Sequence, residues 1–161
     1  MPAMTVGDRW DMLEGGQSSY RGYLSFDISG LPTNLTIKPA ELRVFQQFVS
    51  ENGSLGVYPI WNVPGGNTLR CKLDHVLYGD TLDTLNWTAG DPSDAKMLEP
   101  GVQTFPKDVI SNYRILDVTG PQGEDVGMGR IKAQFQIVFP IDQPHDGRND
   151  LIVFDVAEVS R

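Results

Sequence analysis

The sequence contains a single cysteine, Cys71, and only two histidines, His75 and His145. One cysteine excludes an intramolecular disulfide, so core packing must stabilise the fold. Three soft ligands are also too few for a four-ligand structural zinc site. Cys71 and His75 are four residues apart, a spacing that would suit one face of a helix. Because no third ligand lies nearby in the sequence, we interpret the pair as coincidental.

Long apolar runs and basic segments are scarce as well. No segment approaches the roughly 18 consecutive apolar residues of a membrane-spanning helix, and the N-terminus lacks the basic and apolar regions of a secretory signal. Lys and Arg number 13 against 21 Asp and Glu, which gives a net charge of −8. An acidic surface repels phosphate backbones, so we expect neither a nucleic-acid partner nor a membrane partner.

Turn-forming residues and period-two patterns are abundant. The 17 Gly and 11 Pro favour many short strands over long helices. Apolar and polar residues alternate in residues 21–28, 40–45, 114–119 and 131–139. Residues 129–155 read as a strand, an acidic turn and a second strand, which predicts a long hairpin with one buried face. We therefore predict an all-β protein, an antiparallel β-sandwich of jelly-roll type with about seven strands.

Domain boundaries follow from the same patterns. Residues 1–20 are interpreted as an N-terminal arm or edge segment, with strands beginning at Arg21, and residues 21–161 as a single jelly-roll domain. Residues 72–87 are predicted to be irregular, residues 88–106 to form a long polar connection, and residues 120–129 to form a glycine-rich connection.

Several segments together resemble a known family. Residues 21–32 (RGYLSFDISGLP) look like the opening of DNRLRE domains, which include the family 96 carbohydrate-binding modules and the disaggregatase-related domains. Residues 39–45 (PAELRVF), residues 116–119 (LDVT) and residues 129–154 fit the same pattern in order. The resemblance implies a jelly roll, a non-catalytic role, and attachment to large extracellular structures or polysaccharides.

The chain departs from that pattern at both ends. The family usually has a further strand before the RGYL segment and another after the last segment matched here. We therefore expect exposed sheet edges that a neighbouring subunit or a host surface covers.

The tip of the predicted hairpin is a candidate calcium site. Asp142, Asp146, Asn149 and Asp150 are closely spaced oxygen ligands on a glycine-containing turn, and Ca²⁺ takes six to eight such oxygens. The spacing is not that of an EF-hand. In the alternative interpretation these residues form turns and no structural Ca²⁺ or other cofactor is present.

Aromatic residues offer a candidate carbohydrate site. Aromatic side chains can stack against sugar rings through their flat faces, and the candidates are Trp10, Tyr58, Trp61, Tyr78, Trp87 and Tyr113. From these we predict a site formed by Trp61, Tyr78 and Trp87. The alternative is core packing, which we favour for Trp61 because it lies in a predicted strand.

Catalytic patterns are weak. Asp74 and His75 with a distant serine could be read as a triad, but no nucleophile elbow is present. Paired carboxylates lie in polar loops, where solvation explains them. We therefore expect that the protein is not an enzyme.

Three functions remain at this point. The first is a structural protein on a large assembly, specifically a phage or virus capsid decoration protein that binds the major capsid protein as a homo-oligomer, with a trimer favoured. The second is an extracellular carbohydrate-binding module of a polysaccharide-active or cell-surface protein. The third, a polysaccharide-active enzyme, is least favoured. The first two place the protein on a virion surface or outside the cell.

Overall fold

The computed structural model describes residues 3–11, 16–51, 71–80, 96–105, 111–139 and 150–155. Within these ranges the chain forms nine strands and one helix. In order they are β1 (Ala3–Asp11), β2 (Gly16–Tyr20), β3 (Gly22–Asp27), β4 (Glu41–Glu51), β5 (Lys72–Leu77), β6 (Lys96–Thr104), β7 (Asn112–Asp117), α1 (Thr119–Gly127), β8 (Lys132–Val138) and β9 (Asp150–Asp155).

The strands form two antiparallel sheets. One has five strands in the order β2-β1-β9-β4-β7, and the other has four in the order β3-β8-β5-β6. The prediction of an all-β antiparallel sandwich is confirmed.

The pairing of the strands is nested. With β2 set aside, the first strand pairs with the last (β1 with β9), and β3 pairs with β8, β4 with β7, and β5 with β6. A chain that folds back on itself in this way and then rolls up into two sheets is a jelly roll. The outermost described strands are β2 and β7 in one sheet and β3 and β6 in the other.

The predicted hairpin over residues 129–155 is wrong. Its two strands exist as β8 and β9, but they lie in different sheets. Each is an interior strand with neighbours on both sides, and residues 133–139 are all buried. Gln134 and Gln136 are only 1% exposed, so the polar face of β8 is buried as well. Periodicity identified the strands, but it carries no information about which strands become neighbours.

The predicted start of the strands at Arg21 is also wrong. Residues 3–11 and 16–20 form β1 and β2, and β1 lies between β2 and β9. β1 is also one of the two neighbours of β9, the other being β4, so β9 does not lie at a sheet edge. Polar residues in β1 and β2, Asp8 and Arg9 among them, concealed the pattern because a strand at or near a sheet edge needs few apolar residues.

Three further segments differ from their predictions. Residues 72–77 are a strand rather than irregular, residues 96–104 are a strand within the predicted connection, and residues 119–127 are a helix. β5 lacks alternation because both of its faces are buried. β6 contains register shifts opposite β5, and Gly101 there has a φ of 64°. Pro121 is tolerated in α1 because the first turn of a helix needs no N–H donors.

The core lies between the sheets and is closed by α1. Phe135 and Ile137 from β8 pack with Ile152 and Phe154 from β9, and Val126 from α1 joins the same cluster. Each of these five side chains is at most 2% exposed. The two sheets thereby form a rigid support for whatever their outer faces present.

Candidate functional site

The outer face of the five-stranded sheet carries exposed apolar side chains on β4 and β7. Residues at even positions of β7, such as Leu116, face the core, whereas Tyr113 is 61% exposed and Ile115 is 57% exposed. Phe45 lies directly opposite Tyr113 on β4. The two rings meet edge to face, with centroids 5.0 Å apart and planes at 73°. We refer to Phe45, Tyr113 and Ile115 as the docking surface.

Charged residues border the docking surface along the same two strands. Arg43 lies opposite Ile115, and Glu41 lies opposite Asp117. Arg43 donates from Nη2 to Glu41 Oε2 over 2.7 Å. An apolar centre beside such a charged border has the composition of a protein interface, whose core is depleted of charge and whose rim is polar.

Asp117 keeps a fixed negative charge at this border. Its Oδ1 accepts from Thr119 Oγ1 at 2.6 Å and from the Thr119 backbone N–H at 2.9 Å. These two hydrogen bonds lower the pKa of the Asp117 carboxyl below its ordinary value. The carboxylate therefore stays ionised at neutral pH and marks the point where β7 ends and α1 begins.

A second cluster is polar, charged and buried at the junction of β5 and α1. His75 Nε2 lies 2.9 Å from Asp125 Oδ2, and the two side chains are 0% and 1% exposed. Arg130 donates from Nη1 to Asp125 Oδ1 and to Glu124 Oε1. His75 Nδ1 has no hydrogen-bond partner, and the ring packs beside Phe135. Because His75 belongs to β5 and Asp125 to α1, their contact fastens α1 to the sheet.

Asp74 and His75, whose adjacency in the sequence we interpret as coincidental, do not contact each other as a catalytic dyad would. The two residues point to opposite faces of β5, as neighbours in a strand do. Asp74 Oδ1 accepts from Lys72 Nζ at 3.0 Å and from the Gly101 backbone N–H at 2.6 Å. His75 contacts Asp125 instead.

Cys71 and His75 do not share the face of a helix, because residues 72–77 form strand β5. Cys71 directly precedes β5 and is 1% exposed, and burial raises the pKa of its thiol far above the ordinary value. Within the described ranges, no group of three or more His, Cys, Asp and Glu residues is placed to hold a metal ion.

Most of the predicted calcium site lies outside the described residues. This applies to Asp142, Asp146 and Asn149. Asp150 is the first residue of β9, where the register places it opposite Asp8 on β1 and Glu51 on β4. The calcium site stays a prediction.

Of the three residues of the predicted carbohydrate site, the structure describes only Tyr78. Trp61 and Trp87 lie outside the described residues. Tyr78 is half-buried and meets Tyr23 edge to face, with ring centroids 5.4 Å apart. Its backbone N–H donates to Gln134 Oε1 at 3.0 Å. Tyr78 therefore belongs to a packed turn, and its part in sugar binding stays a prediction.

Gln134 is a buried polar residue of β8 whose amide is hydrogen-bonded, whereas Gln136 Oε1 on the same face has no hydrogen-bond partner. Gln134 Oε1 accepts from the N–H groups of Tyr78 and Gly79, and its Nε2 donates to the Gly79 carbonyl at 2.7 Å and to Ser25 Oγ at 3.3 Å. A buried amide that satisfies its donors and acceptor within the protein supports the fold. It leaves little capacity for a ligand.

A hollow of about 300 Å³ lies next to this turn. Leu77 and Ile131 provide its apolar lining. Its two basic residues are already engaged: Lys132 donates to Asp80 at 2.7 Å, and Arg130 binds Asp125 and Glu124. The hollow therefore offers less to a polar ligand than its charges suggest.

The docking surface was not predicted from the sequence, although Tyr113 was one of the aromatic candidates for stacking and part of a further signal was present. Residues 113–116 place apolar or aromatic side chains at Tyr113, Ile115 and Leu116, and hence on both faces of a strand. Such a strand is either buried on both faces or exposes an apolar face. The sequence does not decide between these outcomes because the position of a strand within its sheet is a tertiary property.

Two further observations complete the description of the chain. In the part of the chain that the structure describes, no helix is long and apolar enough to cross a membrane. Comparison of the chain with family models, with curated proteins and with solved structures finds no match.

Proposed function

We propose that this chain is a non-catalytic structural protein that docks on a large protein assembly through the docking surface. The observation that carries the proposal is the exposure of Tyr113 and Ile115, at 61% and 57%, next to Phe45 on a regular sheet. Single exposed apolar residues are ordinary, but neighbouring ones on a rigid face indicate an interaction site. Tyrosine is also among the residues most enriched at the energetic centres of interfaces.

The assembly that we propose is a phage or virus capsid, which the protein decorates. A decoration protein needs a stable scaffold and an exposed face rather than a catalytic pocket. The engagement of His75 and Asp125 with each other supports a non-catalytic role, because the most enzyme-like pair among the described side chains is buried and structural.

Co-sedimentation with virions tests this function. Virions assembled after deletion of the gene for this chain are mixed with the purified protein and separated on a sucrose gradient. We expect the protein to move with the particles and to saturate them at a fixed ratio. Protein that stays at the top of the gradient would contradict the capsid proposal.

Gel electrophoresis through alginate or pectin tests the second candidate function, a carbohydrate-binding module. A carbohydrate-binding module is retarded in such a gel relative to a gel without polysaccharide. We expect equal mobility in both gels. Retardation together with failure to bind virions would replace the capsid function with carbohydrate binding.

A further inference from the structure

We propose that two copies of this chain pair through their β7 edges around a two-fold axis at Ile115, so that their docking surfaces merge into one. This inference deepens the proposed function, since it concerns the same surface. It adds a partner, a second copy of the chain, and a register.

The backbone of β7 is suited to adding a strand. β7 is the outermost described strand of its sheet. The Val118 N–H donates to the Ala40 carbonyl in register with the β4–β7 pairing. Because backbone groups in an antiparallel strand alternate between the two sides, the even residues of β7 bond β4 and the odd ones face the open edge. Ile115 therefore presents its N–H and its carbonyl to a potential partner.

The centre of this edge strand carries an apolar side chain, which is unusual for a strand without a partner. Natural proteins guard open edges with charge, proline or bulges. The register of β4 with β7 contains no bulge, and the central outward residue of β7 is the apolar Ile115. Two protections lie towards the ends of β7: Asn112 Oδ1 accepts from the Tyr113 N–H at 2.8 Å, and Asp117 carries a carboxylate. Among the described residues the edge is thus blocked at its start, charged at its end, and apolar without a neighbouring strand at its centre.

Charge selects the register. Only two-fold axes at Arg114 and at Ile115 keep most of β7 paired with its copy. An axis at Arg114 would place two arginines directly opposite each other, and like charges in that position are destabilising. Each Arg114 is 8% exposed and donates from Nε to Gln46 Oε1 at 2.8 Å, so it cannot turn away from its copy without losing that hydrogen bond. An axis at Ile115 places isoleucine against isoleucine and Tyr113 against Asp117 of the partner subunit. This register opposes no like charges, and a two-fold interface must be self-complementary in this way.

The resulting dimer has a continuous sheet of ten described strands. Side chains at odd positions of both β7 strands share its outer face, so Ile115 of each copy joins the two apolar areas across the axis. This arrangement replaces the trimer expected from the sequence with a two-fold dimer.

Cysteine crosslinking tests both the pairing and the register. In the proposed register the two Ile115 Cα atoms form a hydrogen-bonded pair about 5.5 Å apart, within the range that a disulfide spans. We expect Ile115→Cys to form a disulfide-linked dimer under mild oxidation at least about tenfold faster than a random-collision control. Ile131→Cys is that control, since Ile131 is 60% exposed and directly precedes β8, a strand of the other sheet. Cys71 stays inert because it is buried.

Tyr113→Cys tests the register. With the axis at Ile115, the two Tyr113 positions are offset by four residues, or about 13 Å, so they should not crosslink. Equal crosslinking of Tyr113→Cys and Ile115→Cys would overturn the register.

Light scattering on the unmodified chain keeps the proposal falsifiable if a cysteine variant misfolds. We expect twice the chain mass, and a monomer or a trimer would overturn the dimer. A monomer that still binds virions would overturn the dimer while leaving the proposed function intact. A crosslinked dimer that binds no virions would overturn the proposed function while leaving the dimer intact.

Discussion

Replacement of Ile115 by arginine is expected to weaken binding to the assembly at least about thirtyfold, which corresponds to about 2 kcal/mol. Ile115 is 57% exposed at the centre of the open strand, so the substitution leaves the core unchanged. In the bound state, however, it would place a charge in the apolar centre of the interface. In the proposed dimer it would also place two arginines opposite each other, so light scattering on the variant separates loss of the dimer from loss of the assembly contact. Titration of virions with the variant, followed by sedimentation, measures the change.

The matched control is Ile131→Arg. It makes the same chemical change at a residue of similar exposure, 60%, that precedes β8 in the other sheet. We expect its affinity to stay within about threefold of the unmodified protein, since surface substitutions away from an interface usually change little. Equal losses for the two variants would show that added positive charge, rather than the docking surface, controls binding.

Replacement of Asp125 by alanine is expected to lower the free energy of unfolding by about 3–5 kcal/mol. Asp125 is 1% exposed and accepts from both His75 and Arg130. Its removal leaves these two polar side chains, 0% and 15% exposed, without their shared carboxylate. Urea denaturation of the variant measures the loss, provided that the denaturant slope is unchanged.

Asp80→Ala serves as the comparison for the buried pair. Asp80 also binds a basic side chain, Lys132 at 2.7 Å, but its side chain is 85% exposed. An exposed ion pair contributes little to stability, because solvent and salt screen the two charges. A loss for Asp125→Ala as small as that for Asp80→Ala would contradict the claim that the buried cluster fastens α1 to the sheet.

Strands with a regular alternation were predictable from the sequence. β3, β4, β7 and β8 all lie where the period-two pattern placed them, because one apolar face must be buried against the opposite sheet. β5 was missed since Asp74 and His75 are buried and interrupt the apolar pattern. Lys72 of the same strand pairs with Asp74, but the other partners, Gly101 and Asp125, lie in β6 and α1, and local patterns do not reveal them.

The neighbour relations of the strands were not predictable in the same way. The sequence places β8 and β9 in succession, and a turn-rich connection suggests a hairpin. The jelly roll instead pairs β9 with β1, which is almost the full chain length away. Contacts of such long separation are decided by the packing of the whole sandwich. Local sequence patterns therefore predict the strands better than they predict which strands pair.

The candidate site illustrates the same limit. Sequence patterns drew attention to clusters of acidic and aromatic residues, such as Asp142 and Trp87. The docking surface consists of three less conspicuous residues on two strands that are adjacent only in the folded sheet. Exposure gives these residues their significance, and exposure is fixed by the position of β7 at the sheet edge.

Amide hydrogen exchange on the free and the virion-bound protein tests the docking surface most directly. We predict that binding slows amide exchange in residues 41–47 and 112–117, which carry the docking surface. We predict no change in the exchange of residues 22–27 of the opposite sheet. Both states contain the same oligomer, so the difference reports the assembly contact alone. Slower exchange confined to residues 22–27, or no change in residues 112–117, would contradict docking through this face.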